Sequence, residues 1–183
     1  EGLKATYIGP LSRFAAKRES KAMANKSFDI IVMISGPEPQ RSIFENIILQ
    51  QSTQIEASIL ILGGKPGENN SNVQNGNIEY LNHLGSDELF HHLKNADLII
   101  SRPGYSTVMD LAFLHKKAVF VPTPGQTEQE YLAEIHSEQG HCISCSQEKF
   151  SLSECISAVE NLKGFQQITE NSMLDNQIDM LLK

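Results

Sequence analysis

Short apolar runs alternate along the chain with longer segments that carry apolar residues on one side only. The runs at 5–9, 28–35, 57–64, 78–81, 97–101, 118–122 and 141–145 predict buried strands. The spacing of amphipathic helices is found at 41–51, 86–96, 105–116, 127–139, 151–163 and in the tail 166–183. The polar segment 65–77, rich in Gly and Asn, predicts a loop.

This alternation of strands and helices predicts an α/β fold. Successive strand–helix–strand units build a parallel sheet with helices on both faces, and the handedness of their connections leaves a Rossmann-like, doubly wound domain. Such folds bind ligands at the carboxyl ends of their strands. We therefore expect the site among the loops 9–13, 35–41, 63–68, 84–86, 101–107 and 122–129.

The bulk composition narrows the function classes. A length of 183 residues suits one domain, or one domain and a small appendage. The net charge of −7 argues against a nucleic-acid groove and against a polybasic membrane patch. No apolar run approaches the roughly 20 residues that span a bilayer, and the residues at 1–10 do not have the pattern of a signal peptide. The 3 cysteines lack framework spacing, which favours a reducing, cytoplasmic location. Since the sequence lacks an initiator Met, we expect a fragment or a processed chain.

The segment SRPGYSTVMDLAF (101–113) is the strongest candidate for a binding site. The first turn of a helix leaves about four amides unpaired and carries roughly half a positive charge, which suits an anion. Gly104 lets a phosphate approach the backbone, while Ser106 and Thr107 add hydroxyl donors. Asp110, one turn further, suits a ribose diol. The same residues also fit an ordinary helix start, because Thr107-x-x-Asp110 resembles a capping box.

Two other loops carry weaker signals for phosphate. Arg13 follows Gly9 by four residues and is able to reach a phosphate with two parallel hydrogen bonds. Gly36 follows a strand at a position typical of phosphate loops, but Pro37 and Pro39 stand where flexible glycines are usual.

The helix start at 126–130 offers side chains for a sugar. Gln129 and Glu130 are suited to hydrogen-bond sugar hydroxyls, although Thr127-x-x-Glu130 is also a capping box. The G-x-S-x-G motif of serine hydrolases is absent from the sequence. Binding of a nucleotide diphosphate without a metal is the chemistry that these loops favour.

A stretch of about 40 residues, ADLIISRPGYSTVMDLAFLHKKAVFVPTPGQTEQEYLAE (96–134), resembles a known signature. It is similar to the donor-binding region of GT-B glycosyltransferases of the MurG type, the glycosyltransferase family 28 C-terminal domain. The shared pattern is Ala-Asp, an apolar strand, R-x-G, two hydroxyls, an acid, F-V-P and a Gln-containing helix start. Gly9-x-x-x-Arg13 and Ser35-Gly36 fit the family's earlier loops in order, so the resemblance covers nearly the whole chain.

The resemblance implies how the diphosphate and ribose would be held. Gly104, Ser106 and Thr107 would hold the diphosphate, and Arg13 would help. Asp110, where the family has Glu, would bind the ribose. The family's Gly-rich phosphate loop falls at Gly36.

The resemblance also implies positions for the base and the sugar. Leu84 and Gly85 would lie beside the uracil. Gln129 would face the donor sugar, together with Glu130, where the family has a second Gln. The prolines after Gly36 put the first loop's phosphate contacts in question, and Glu130 leaves the identity of the sugar open.

A GT-B enzyme has two such domains, which sets the expected function. Residues 1–165 would bind a UDP-sugar donor such as UDP-GlcNAc, as a substrate rather than a cofactor. The helix at 166–183, with Met180, Leu181 and Leu182, would pack toward an N-terminal domain. That domain, in cis or as a second chain, would supply the acceptor site, the catalytic base and any peripheral membrane contact. The chain alone is then expected to transfer no sugar. A UDP-sugar 2-epimerase and a non-catalytic binding or regulatory domain are the alternatives.

Overall fold

The computed structural model describes residues 11–15, 27–65, 67, 73–165 and 179–180. Its strands are β1 Ile30–Met33, β2 Ile59–Leu62, β3 Val73–Asn75, β4 Ile78–Leu81, β5 Leu98–Ser101, β6 Ala118–Phe120 and β7 Cys142–Ser144. Its helices are α1 Gln40–Ser52, α2 Ser86–Asn95, α3 Tyr105–Phe113, α4 Thr127–Glu138 and α5 Leu152–Val159, with a short 3-10 helix at Gln147–Lys149. None of the helices in these ranges combines the length and the apolar character needed to cross a membrane.

The strands form one sheet in the order β3-β4-β2-β1-β5-β6-β7. All neighbouring pairs are parallel except β3 and β4, which are antiparallel. From β1 the chain first builds outward through β2 and β4, then returns to place β5 on the other side of β1. The order therefore reverses between β1 and β5, and the carboxyl ends of these two strands border the crevice in which doubly wound folds bind ligands.

Both faces of the sheet are covered, as the α/β prediction requires. On one face Ile31 of β1 belongs to a core cluster with Leu93 of α2 and Leu111 of α3. On the other face Val32 packs in a second cluster with residues of α1 and α5, including Phe44. Burial on both faces explains why the central strands are continuous runs of Ile, Leu and Val rather than alternating patterns. The predicted fold class is confirmed.

The structure corrects the sequence-based elements in three places. Helix α5 ends at Val159, whereas the sequence predicts a helix from 151 to 163. Part of the predicted loop 65–77 is the strand β3, which pairs with β4 through the turn at Gly76 and Asn77. Helix α3 ends at Phe113 instead of continuing to 116, and His115 beyond it has a positive φ of 55°. The predicted strand 5–9 and all of the tail 166–183 except 179–180 lie outside the described residues, so the proposed boundary at 165 stays a prediction.

Two half-buried histidines face each other, one on α4 and one just before β7. The Nδ1 atoms of His136 and His141 are 3.3 Å apart, and both rings contact Phe165 at centroid distances of 5.3 and 5.1 Å. Burial lowers the pKa of His136 and of His141, and the proximity of His141 lowers the pKa of His136 further. The folded protein therefore favours the neutral form of both rings.

Acid should destabilise the fold through this pair. An unfolded His takes up its proton near pH ~6.5, and the folded pair does so only at lower pH. The unfolded state thus binds more protons as the pH falls through that window, so the free energy of unfolding should decrease between about pH 7 and pH 5. Urea denaturation should show a shallower decrease for His136→Asn. His115→Asn is the matched control, because Asn tolerates a positive φ; equal slopes for the wild type and His136→Asn would contradict the prediction.

Candidate functional site

The carboxyl ends of β1, β5 and β6 bring polar groups to the crevice between β1 and β5. Gly36, just beyond β1, has a φ of 104°, and a Cβ there would lie 3.2 Å from the Oγ1 of Thr123. The hydroxyls of Thr123 and of Ser101, the last residue of β5, are buried, and within the described residues neither has a hydrogen-bond partner. Buried hydroxyls are rarely left unpaired, so their presence here marks the crevice as a place to look for a ligand.

Helix α3 begins at the same crevice without a side-chain cap. Its N-cap is Gly104, in an extended conformation, and a Cβ there would meet no atom within 4 Å. Thr107 is the third helical residue, so the capping-box alternative for Thr107 and Asp110 is wrong. Ser106 is exposed and Thr107 half-buried, and neither hydroxyl bonds to another described residue. The open first turn can therefore offer amides and hydroxyls to an anion.

Asp110 lies one turn into α3 and is bound by residues from the start of the chain. Its Oδ2 accepts from Nε of Arg13 at 2.9 Å, and its Oδ1 accepts from Oγ of Ser12 at 2.8 Å. The residue is only 3% exposed, while 55% of the Arg13 side chain is exposed. The structure thus joins two predicted site residues to each other, and a ribose would reach Asp110 only beside or in place of Ser12 and Arg13. The roles predicted for Arg13 and Asp110 stay predictions.

The start of α4 is held by the two residues predicted to face a sugar. The N-cap is Gln126, so Thr127 is the first helical residue and the predicted capping box is wrong. The Oε1 of Gln129 accepts from the backbone N–H of Thr123 at 2.8 Å, and the Oε1 of Glu130 accepts from that of Gly125 at 3.2 Å. Both side chains therefore shape the loop after β6, and their contact with a sugar stays a prediction.

The two residues predicted to lie beside uracil are at the start of α2. Gly85 is exposed and is the N-cap of this helix. Leu84 is half-buried and packs against the core cluster that includes Val108 of α3. Leu84 and Gly85 therefore lie on the same face of the sheet as α3, and their contact with a base stays a prediction.

Comparison with known proteins agrees with this geometry. The model of the glycosyltransferase family 28 C-terminal domain matches residues 30–179. The chain belongs to this family. A curated relative is UDP-N-acetylglucosamine--N-acetylmuramyl-(pentapeptide) pyrophosphoryl-undecaprenol N-acetylglucosamine transferase 1 of Bacillus thuringiensis (strain Al Hakam). It is 25% identical over 170 residues, which cover 87% of this chain and 47% of the relative. The chain therefore spans about half the length of such relatives.

Solved structures show the same fold for this family 28 domain. MurG of Acinetobacter baumannii superposes with a TM-score of 0.60 at 19% identity, over 87% of this chain and 51% of that protein. The glycosyltransferase VinC, solved in complex with DTDP, superposes with a TM-score of 0.53 at 13% identity, over 94% of this chain and 40% of that protein. The fold is that of GT-B glycosyltransferases.

Arg102 of the family 28 domain is not among the site residues predicted from the sequence. It follows β5 directly, is 2% exposed, and donates to the backbone oxygens of Val121 at 2.7 Å, Pro122 at 3.0 Å and Gln40 at 3.3 Å. It also donates to Oε1 of Gln147, whose Nε2 donates to Oε1 of Gln40 at 2.7 Å. The only sequence signal was the Arg-Pro-Gly run after a buried strand. One side chain thus ties together the segments after β5, β6 and β7 and the start of α1.

A cavity of about 340 Å³ lies between the loop after β6 and the segment after β7. Its lining includes Pro122, Gly125, Glu130, Ser146 and Gln147. The cavity therefore adjoins the loop that Gln129 and Glu130 hold, and also Gln147, which accepts a hydrogen bond from Arg102.

Proposed function

We propose that this domain binds the nucleotide diphosphate of a sugar donor for a glycosyltransferase. The observation that carries the proposal is the crevice between β1 and β5, where Gly36, the start of α3 and the hydroxyl of Thr123 come together. Within the described ranges, this hydroxyl has no hydrogen-bond partner and α3 has no side-chain cap. A helix start with free amides attracts phosphate through its dipole and its N–H groups. Gly36 leaves room for a phosphate to approach the backbone.

The donor that fits the comparisons best is a uridine diphosphate sugar, with UDP-GlcNAc as the first candidate. The curated relative is named for transfer of N-acetylglucosamine from its UDP derivative, and VinC was solved with DTDP. In this proposal Gly36, Gly104, Ser106, Thr107 and Arg13 hold the diphosphate and Asp110 holds the ribose. The base lies beside Leu84 and Gly85, and the sugar faces Gln129 and Glu130. Donor binding needs no metal ion in this proposal.

The acceptor side belongs to a second domain in this proposal. The curated relatives are about twice as long as the region matched, which leaves room in them for an acceptor-binding domain. Rate enhancement in group transfer depends on holding acceptor, base and donor in one geometry. Residues 1–183 alone are therefore proposed to bind donor without transferring its sugar, in the reducing conditions of the cytoplasm that suit free cysteines.

Calorimetric titration with UDP, UDP-GlcNAc and UDP-galactose tests the proposal. We expect a dissociation constant for UDP between about 10 μM and 1 mM, equivalent to about −7 to −4 kcal/mol. The double variant Ser106→Ala/Thr107→Ala should weaken UDP binding by about tenfold or more, because hydrogen bonds to a charged group contribute about 1.5–3 kcal/mol. Ser157→Ala on α5 is the matched hydroxyl control and should bind as the wild type does.

Two results would reject the proposal. Absence of saturable UDP binding at several millimolar would exclude a donor domain. Release of UDP from UDP-GlcNAc without any acceptor, with epimerised sugar as the product, would favour a 2-epimerase instead.

A further inference from the structure

Arg102 carries a buried positive charge that no carboxylate balances in the described part of the chain. All of its hydrogen-bond acceptors are neutral oxygens: three backbone carbonyls and the side-chain amide of Gln147. Its guanidinium carbon lies 4.4 Å from the ring centroid of Phe44, and its Nε has no partner among these residues. Burial lowers the pKa of Arg102 to about 10, so the side chain stays protonated at neutral pH.

Arg41 shows how the same fold treats a second buried arginine. Arg41 is 7% exposed, and it forms ion pairs with Glu38 at 2.6 Å and with Glu45 at 2.5 Å. Its charge is therefore cancelled within its own surroundings. Burial of an ion without a counter-ion is unfavourable because the ion loses its hydration, so the unbalanced charge of Arg102 needs an explanation.

The position of Arg102 supplies a reason. It stands two residues before the cap of α3 and beneath the loop after β6 that contains Thr123. The helix dipole places a partial positive charge at the same point. Because Arg102 is buried, water screens its charge less than that of a surface residue. An anion seated at the start of α3 would feel both charges.

We infer that Arg102 is the buried counter-charge for the diphosphate of the donor, and that it acts without touching the ligand. The inference rests on the proposed function and deepens it, since it assigns part of the attraction for the diphosphate to a residue behind the binding surface. Arg102 is thus a positioning residue with an electrostatic effect. It keeps the crevice-lining segments together and makes their potential positive.

The test compares UDP, which carries the charged diphosphate, with uridine, which lacks it and is neutral. Affinities for UDP and for uridine are measured by ligand-observed NMR with the wild type, Arg102→Met, Arg102→Lys and the control Arg41→Met/Glu45→Gln, after thermal melting has shown that each is folded. For Arg102→Met we expect the ratio of UDP to uridine affinity to fall at least tenfold. For Arg41→Met/Glu45→Gln, which removes one charge of each sign and leaves the net charge unchanged, the ratio should stay within threefold of the wild type.

Arg102→Lys provides a second measurement if Arg102→Met does not fold. A buried ammonium loses its proton more easily than a guanidinium. The ratio for Arg102→Lys should therefore be near that of the wild type at pH 7 and should fall between pH 7 and pH 9, whereas the wild-type ratio stays constant. A purely structural role would weaken UDP and uridine equally and would give no such pH profile.

The outcomes separate the two proposals. If the wild type does not bind UDP, the proposed function fails and this inference fails with it. If the wild type binds UDP and the ratio is unchanged in Arg102→Met, or is independent of pH in Arg102→Lys, only the role of Arg102 is overturned.

Discussion

Replacement of Gly64 by alanine should cost about 3 kcal/mol or more of unfolding free energy. Gly64 follows β2 with a φ of 69°, and a Cβ there would overlap the backbone oxygen of Ile34 at the end of β1. The clash is with backbone rather than with a movable side chain, so the strand end and the loop containing Gly36 must shift. Urea denaturation measures the loss, and UDP affinity should decrease with it.

Gly76→Ala is the matched control for this substitution. Gly76 also has a positive φ, of 61°, but a Cβ there would meet no atom within 4 Å. Its replacement should cost only the conformational penalty, about 1–2 kcal/mol. Equal losses for the two variants would mean that β1 and the segment after β2 do not approach each other as closely as the structure shows.

Asp110→Ala should lower the affinity for UDP by about tenfold or more. The substitution removes the acceptor that binds Ser12 and Arg13, and it also removes the carboxylate proposed to hold the ribose. Glu56→Ala is the control for the loss of one negative charge. Glu56 is an exposed acid just before β2, at the amino ends of the strands, whereas the crevice lies at their carboxyl ends. Its affinity for UDP should match that of the wild type.

The 2′-deoxy analogue of UDP separates the two roles of Asp110. If Asp110 binds the ribose diol, the wild type should prefer UDP over the deoxy analogue by about tenfold, and Asp110→Ala should lose this preference. If the wild type binds both nucleotides equally while Asp110→Ala weakens both, the ribose role is refuted. Asp110 would then act only by fixing Arg13 near the phosphates.

The strand ends at the crevice could be predicted from the sequence, while the caps of the helices could not. An apolar run such as Leu98–Ser101 locates the end of a strand, and hence the start of the following loop, to within a residue or two. Hydroxyl residues such as Thr107 and Thr127 then suggested N-caps by residue type alone. The actual caps, Gly104 and Gln126, are set by where each loop turns away from the sheet, which depends on packing rather than on local preference.

The partners of the site residues were beyond sequence reasoning for a related cause. Asp110 binds Ser12 and Arg13 from nearly a hundred positions away, and Arg102 donates a hydrogen bond to Gln147, 45 positions along the chain. A local pattern contains no information on such pairs. The strand β3 was different, because the pair Gly76-Asn77 before Ile78 is a hairpin signal that the polar composition of the segment concealed.

The small hairpin of β3 and β4 also affects the tendency of the protein to aggregate. An outermost strand with free N–H and C=O groups invites pairing with another chain, and parallel sheets with long apolar strands are exposed to that hazard while they fold. Here β4 is paired on its outer side with β3. All three residues of β3, Val73 to Asn75, are exposed, and two of them are amides. Such a short polar strand is a poor template for further strands. The short strand β3 therefore protects this edge of the sheet against aggregation.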